Sequence, residues 1–600
     1  VTVFSLLITV IIFLFGNQLL SLFLDPGDAS GAMGYGLAYM HTVSLFYILM
    51  GLLFVPNGML RGAGDMAAFT FSSMANLFSR VGIAYALVYL TPLGANAIWW
   101  SIPAGWLIGA AVSLLRVKSG KWMRPTADPR RRSISGIAGA VDMNRKQNLE
   151  VFAKTPVRKA VLLQIVPAVA SQMVTLVYNL ADTFFIGQIG DPNQVAAVSL
   201  CMPMFVFLTG LANLFGIGGS SLMSRSLGTN DHQKAKRTAA FSIWTAIVVS
   251  LVYGMVLFGT RSIILPMVGA DAQTYEFCCQ YIFWTITIGA VPTVLNQELA
   301  HLVRAEGHSA QASFGLALGG VLNIILDPIL ILLAGLEIAG AAIATMVSNV
   351  LATLYFISLL VKRRNTTDIS FHPKNYTWGE RIPREVLLVG FPSCLMNLMG
   401  VLSNITVNKL MSGYSNAAVA GIGVAKKVDM LSFAIATGMS QGVLPLIGYN
   451  YSARHYKRIK AALKLDFLVS FMVALVGTIF LFTCAGPIVQ AFIDDAETVR
   501  YGQRFQRIIC ITGPCISVTM LAITAFQSVG KKVQPTILSL MRKGGLDIPF
   551  MFLLNGLLGV NGIVWATPIA DVCAMIVAVI VLVPFWKMLS SQEKKDPAGT

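Results

Sequence analysis

Charge is scarce in this chain of 600 residues: Asp, Glu, Lys and Arg together make up 12%, against 56% hydrophobic residues. That composition excludes the three or four soluble domains that the length alone would suggest. Acids are scarcer than bases, 27 against 44, and the six histidines show no HExxH spacing. No Walker A sequence is present, so the chain offers neither a zinc-hydrolase helix nor a phosphate loop. The eight cysteines form no CxxC pair and lie mostly within or beside apolar segments, which suits buried small hydrophobes rather than disulfides or a metal site. Strand-like alternation is missing too. A cleavable signal peptide is not expected, because the opening "VTVFSLLITVIIFLFG" has neither an initiating Met nor a basic n-region.

Long apolar runs are what the chain has instead. They recur along nearly its whole length, each able to cross a hydrocarbon core of about 30 Å, and imply a polytopic membrane protein of helices. The net charge of +17 is no nucleic-acid footprint, since the basic residues crowd into alternate loops. "SRSLGTNDHQKAKRTA", "VKRRNTTDISFHPKNYTWGERIPRE", "YSARHYKRIKAALK" and "GKKVQ" are basic, whereas "GQIGDPNQ", "VGADAQTYE", "AGLEIAG", "SGYSNAA" and "NGLLGVNG" contain no Lys or Arg. The positive-inside rule puts the first set, and both chain ends, in the cytoplasm.

Internal repeats set the expected architecture. "GANAIWWSIP" (Gly94 to Pro103) and "GVNGIVWATP" (Gly559 to Pro568) share Gly, Asn, Ile, Trp and Pro at one offset, and "GAAIATM" is a weaker third copy through Gly340 and Thr345. One helix pair earlier, "MLRGAGDMAA", "LVRAEGHSAQ" and "FQSVGKKVQP" place Gly64, Gly307 and Gly530 in corresponding turns. The expected order is four helices in 1–117 that match the last four of a lobe, a basic linker at 118–155, and six helices in 156–362. An inter-lobe loop at 363–384, six more helices in 385–590 and a tail at 591–600 follow. An even helix count per lobe makes the two lobes parallel repeats about an axis along the membrane normal. The linker is either a solvated tether with some attraction to anionic lipid or a regulatory site. Met143 would serve as a start just before a first helix, which points to a join between two related units.

A charge at mid-membrane costs about 3 kcal/mol or more, so acids within the apolar runs mark candidate function. Few lie deep, and they are expected to be shared unevenly between the lobes. Asp182 closes the first helix of the 156–362 lobe, with Pro167 fifteen residues earlier as a bend. "VLNIILDPILILL" carries Asn323 and Asp327 at i, i+4, one helical face. Thr345 lies on the next helix, five residues past Gly340. Two carboxylates, an amide and a hydroxyl are hard oxygen donors suited to Na⁺ or a shared proton, not to zinc or copper. Burial and like charge disfavour two ionised carboxylates side by side, so the pair would respond to protons. The bland alternative is four polar groups hydrogen-bonding between helices.

Taken together, "YNLADTFFIGQIG", "LVRAEG", "NIILDPI", "GAAIAT" and "GVLPLIGYNYSARHYKR" resemble the multidrug and toxic compound extrusion (MATE) exporters, and within them the MepA-like and DinF-like bacterial branch. The resemblance covers about 150–590 as a twelve-helix pattern, and 1–117 as a detached copy of helices nine to twelve. It implies a fold of two six-helix lobes, no cofactor, and antiport of Na⁺ or H⁺ against amphipathic, often cationic, organic compounds. A bacterial or archaeal plasma membrane, a monomer, the lipid bilayer as surroundings and no nucleic-acid partner are expected with it. Position by position, Asp182 resembles the family's first-helix aspartate, Pro167 its bending proline, Asn323 and Asp327 its fifth-helix pair, Thr345 its sixth-helix cation ligand and Tyr281 a tyrosine near that site. The seventh helix departs from members that bind the ion there through a glutamate, having Asn404 and Asn408 but no acid, which argues against coupling through the second lobe. The eighth holds Lys426, Lys427 and Asp429 within one turn: either a structural Lys426–Asp429 ion pair or charges lining the cavity. Glu298 and His301 are expected as solvated mouth residues. Lipid-linked precursor translocation and a membrane-embedded enzyme are the alternative functions; the first would need a strongly cationic cavity, for which only Lys426 and Lys427 qualify, and the second a nucleophile or metal cluster.

Overall fold

The computed structural model describes residues 32–62, 66–90, 96–119, 149–490, 492 and 495–595, with scattered positions between 5 and 20. Gly64, Gly94, Met143 and most of the linker at 118–155 lie outside the described residues. The chain divides into two compact units, Val1–Ser133 and Ile134–Thr600.

The first unit contains α1 (Ala32–Ser44), α2 (Tyr47–Gly62), α3 (Met66–Leu90) and α4 (Asn96–Lys118). α1 and α2 together make one span bent by 54°. Small residues set the α3–α4 contact: a Cβ on Gly105 would stand 2.9 Å from Asn76 Oδ1, and Ser72 Oγ donates to the Gly109 carbonyl at 2.9 Å. This is how helices pack when lipid removes the hydrophobic drive between them.

The second unit opens with α5 (Val157–Gly187), α6 (Pro192–Gly228), α7 (His232–Gly259) and the short α8 (Arg261–Met267). Next comes a bent span of α9 (Tyr275–Ile282), a π-helical stretch Phe283–Ile288 and α10 (Ala290–Ala305), then α11 (Ser309–Pro328), prolonged by a π-turn, and α12 (Glu337–Lys362). The second half repeats the order with α13 (Ile382–Ser412), α14 (Asn416–Ser452), α15 (Tyr456–Thr483) and the short α16 (Ala485–Gln490). α17 (Ala496–Cys510) with α18 (Gly513–Ser528), α19 (Val533–Leu540) with α20 (Asp547–Leu558), and α21 (Val560–Lys595) complete it. α5 runs through Pro167 as one helix.

The repeated glycines have physical reasons. Gly307 (φ +87°) and Gly530 (φ +78°) take the left-handed conformation that closes a helix. Beside them His308 N–H donates to the Val303 carbonyl and Lys531 N–H to that of Phe526. A Cβ on Gly340 would meet the Leu330 carbonyl oxygen at 2.6 Å, and one on Gly562 that of Leu554 at 1.9 Å, so each repeat lets the last helix of a lobe lie against the one before it.

The two halves join at the end bearing the basic loops. A continuous core there takes Phe152, Ile165, Met223 and Leu299 from one half and Val443, Ile447, Leu521 and Phe526 from the other. Backbones approach through glycine on both sides: Gly218 of α6 faces the Val386 carbonyl of α13, and Gly390 of α13 faces the Leu214 carbonyl of α6. Gly438 and Gly442 of α14 do the same against Val169 and Gln164 of α5. Outward, Val248, Val252, Met255, Val476, Ile479, Ile576 and Ile580 are exposed, an apolar belt suited to lipid.

Candidate functional site

Helices α5, α9, α11 and α12 bring the expected residues of the first lobe together. Asn323 Nδ2 donates to Asp327 Oδ1 at 3.2 Å and to Thr345 Oγ1 at 3.3 Å, so the i, i+4 pair on α11 is tied to α12. Asp327 is fully buried, Asn323 and Tyr281 nearly so, and Thr345 sits at the margin of burial. Asp182 comes from α5, which packs closely on α11 at Gly320, where an added Cβ would stand 3.0 Å from Tyr178 Cδ1. Asp182 and Asp327 lie within electrostatic reach of each other and of Tyr178 and Tyr281. Asp182 Oδ1, Asn323 Oδ1 and Asp327 Oδ2 are shielded oxygens without a hydrogen-bond partner among the described residues. An unpartnered buried acceptor costs about 1–3 kcal/mol, more when charged, so this concentration of orphan oxygens suits a small hard cation or a proton.

Tyr178 was not singled out from the sequence, although its i, i+4 spacing to Asp182 is the same signal that marks Asn323 and Asp327. Behind the cluster, Asn296 donates to Asn349 Oδ1, and Asn349 to Thr293 Oγ1, each at 3.1 Å, locking α10 to α12.

One expectation is corrected, and one alternative left open on the eighth helix is decided. Glu298 and His301 are not mouth residues: Glu298 is fully buried, both of its oxygens unpartnered among the described residues, and His301 is nearly fully buried. Gly216 of α6 has no side chain to hold α10 away, so the α6 backbone packs onto this face of α10 (a Cβ there would meet His301 Cδ2 at 2.7 Å). Lys426 does not pair with Asp429. Its Nζ crosses to α13 and donates to Asn404 Oδ1 at 2.7 Å, and Asp429 Oδ1 has no hydrogen-bond partner among the described residues. Lys427 is exposed.

The second lobe also holds buried acids. Asp547 and Asp571 are buried in the second, where Asp571 pairs with the equally buried Arg542, Nε to Oδ1 at 3.0 Å. Asp547 accepts from Ser403 Oγ and, at 2.9 Å, from Thr567 Oγ1. Arg542 also lies 5.1 Å over the Phe433 ring. The span between α19 and α20 is broken at Lys543 (φ −128°, ψ 124°) and Gly544 (φ +85°), and this break carries Arg542 and Lys543. In sequence "MRKGGLD" reads as an interruption, which hid a charged cluster at the heart of a lobe.

At the loop after α10, Glu306 accepts from the Thr367 hydroxyl at 2.9 Å and from Asp368 N–H, and burial pushes its carboxyl up to about 7. Burial, helped by the Arg363 guanidinium, pulls the nearby His308 down to about 4.

Two repeated helical lobes around membrane-buried acids define a polytopic transporter rather than an enzyme. The MatE family model matches residues 1–88, 167–329 and 392–553, and the chain belongs to the MATE family of secondary transporters, as a MepA-like member. It is 31% identical over 439 residues to the multidrug export protein MepA of Staphylococcus saprophyticus, covering 73% of this chain and 96% of that one. To the MepA protein of Staphylococcus aureus strain MSSA476 it is 30% identical over 438 residues, with the same shares covered. A crystal structure of a MATE transporter in complex with MaL6 superposes with a TM-score of 0.69 at 24% identity, covering 75% of this chain and 99% of that one.

Proposed function

We propose that the chain is a cation-coupled antiporter that exports amphipathic, often cationic, organic compounds across the plasma membrane by alternating access. The observation that carries this reading is the group of orphan oxygens of Asp182, Asn323 and Asp327 beside Thr345. A Na⁺ ion or a proton would supply the missing partner there, and whichever lobe arrangement holds the oxygens together binds that cation better. Export of multiple drugs is carried over from the MepA relatives. With the basic loops inside, the lobes are joined at the cytoplasmic end, so a compound would leave at the other. The second-lobe cations Lys426, Arg542 and Lys543 stand among the acids Asp429, Asp547 and Asp571, so charges balance and a phosphate-bearing lipid precursor gains no cationic cavity.

The test is efflux of a fluorescent organic cation from proteoliposomes, driven separately by a Na⁺ gradient and by a pH gradient. Asp182→Asn and Asp327→Asn keep the shape and lose the charge, so each should abolish gradient-driven efflux while inserting normally. Wild-type efflux in either variant refutes the assignment.

A further inference from the structure

The loop that joins the two lobes builds a basic cleft of its own at the start of α7. After α12 the chain is tied down at successive points. Thr367 Oγ1 donates to Glu306 at 2.9 Å, Asp368 pairs with His232 at 2.7 Å, and Trp244 Nε1 of α7 donates to the Phe371 carbonyl at 3.1 Å. A 3₁₀ turn, Pro373–Asn375, follows: His372 Nδ1 caps it by accepting from Lys374 N–H, and Asn375 Nδ2 donates back to Ser370 Oγ at 2.7 Å. Tyr376 then stacks on Phe241 of α7 with ring centres 5.9 Å apart, and Trp378 meets the same ring edge-on at 5.7 Å. Between this loop and α7 lies a cavity of about 370 Å³, lined by Lys236, Arg364, His372, Lys374, Ser370 and Asn375 and by no acid.

Uncompensated charge sets this cleft apart. Other cations of the basic loops are committed: Arg225 to Glu385, Arg237 to Glu380, Lys460 to Glu593, and Arg458 to the carbonyls of Phe152 and Thr155. Lys236, Arg364 and Lys374 form no ion pair among the described residues, yet the fold of the loop gathers them around one cavity. Like charges held together repel, so an anion shared among them relieves the repulsion, and the neutral donors beside them suit phosphate oxygens. The volume is at the small end of ligand clefts. Trp378 points to the source of the phosphate. It is 69% exposed, and an exposed tryptophan beside basic residues at the end of a span belongs at headgroup level. Lys236 lies before Phe241 by about 7–8 Å along α7, the thickness of a headgroup layer. In the other direction α7 turns to lipid at Val248, Leu251 and Val252.

We infer that this cleft binds the phosphate of an anionic membrane lipid with a small headgroup, such as phosphatidylglycerol, in the leaflet on the side of the basic loops. The site takes neither the coupling ion nor the exported compound, so it stands or falls apart from the function proposed above.

The test follows the melting temperature of the purified full-length protein in detergent against dioctanoyl phosphatidylglycerol, dioctanoyl phosphatidylcholine and inorganic phosphate, at constant ionic strength. Phosphatidylglycerol should give a saturable upward shift, because a ligand that binds only the folded state stabilises it by mass action, and the other two should give none over the same range. Arg364→Gln/Lys374→Gln should raise the half-saturating concentration about tenfold or more. Lys374→Arg keeps the charge and should stay near wild type. Lys531→Gln/Lys532→Gln removes as much charge from a basic loop of the second lobe and should also stay near wild type. No shift with phosphatidylglycerol, or an equal one with phosphatidylcholine, overturns the inference. So does an equal loss in the Lys531→Gln/Lys532→Gln control, which would make the effect one of net charge. Inorganic phosphate matching phosphatidylglycerol would make the cleft a free-anion site and overturn the lipid assignment. Arg364 and Lys374 are exposed, so their variants should fold, and the three ligands compared on the wild-type chain decide the matter should one fail.

Discussion

The α6–α13 crossing is the sharpest point at which one atom should change the balance between lobe arrangements. Gly390→Ala adds a Cβ that would stand 1.8 Å from the Leu214 carbonyl oxygen and 2.7 Å from its carbonyl carbon. A carbon–oxygen contact needs about 3.3 Å, so the helices must part by about 1.5 Å at this point. The obstacle is backbone, which cannot swing aside as a side chain would, and overpacking in a tight core costs about 1–3 kcal/mol, occasionally more. Taking about 3 kcal/mol, the joined arrangement loses population by roughly a hundredfold relative to one in which the lobes part at this end. Hydrogen exchange on the full protein should show faster exchange over 210–228 and 382–394, and substrate efflux should fall because the joined state is no longer revisited. Gly400→Ala, on the same helix with nothing within 4 Å, is the control and should leave both readouts unchanged. Wild-type exchange and efflux in Gly390→Ala would refute the argument that this glycine pair sets the closed end.

Four further outcomes are expected. Asn323→Ala and Thr345→Ala should weaken the dependence of efflux on cation concentration more than its maximal rate, since each removes a neutral oxygen; an unchanged concentration dependence counts against their place at the site. Arg542→Met should destabilise the protein by about 3–5 kcal/mol in denaturant or thermal unfolding by stranding buried Asp571, whereas Arg542→Met/Asp571→Leu should recover most of that loss. Glu306, whose folded value near 7 is raised from 4.5, contributes stability that is present below about pH 4.5 and lost as pH rises through 7. Glu306→Gln should remove this pH dependence, about 3 kcal/mol at most, in melting curves between pH 4.5 and 8. Nearby His308, lowered to about 4, acts in the opposite sense, so the difference between variant and wild type is the quantity to read. Finally, a chain of residues 143–600 should transport as the whole chain does in the proteoliposome assay; insertion without efflux would make the first unit a working part.

The sequence by itself determined whatever is local along a helix. Apolar run length marks six spans in the first lobe and five in the second, and left-handed turns are marked by Gly307 and Gly530. The Asn323–Asp327 pair was legible because i, i+4 residues share a face whatever surrounds them. Proximity of Asp182 to that pair was legible only through likeness to a family, because α5 and α11 are far apart in the chain. Docking of one helix on another decided the rest. Glu298 reads as a mouth residue until Gly216 lets α6 cover it, and whether Lys426 pairs with Asp429 stays open until α13 presents Asn404 to it. The second-lobe cluster was hidden for a related reason: Arg542, Lys543, Asp547 and Asp571 lie on two spans, one of them interrupted by charge and glycine, where apolar run length fails as a guide. Only tertiary packing brings those charges together, because in a low-dielectric interior each must find its partner on a neighbouring helix rather than in water.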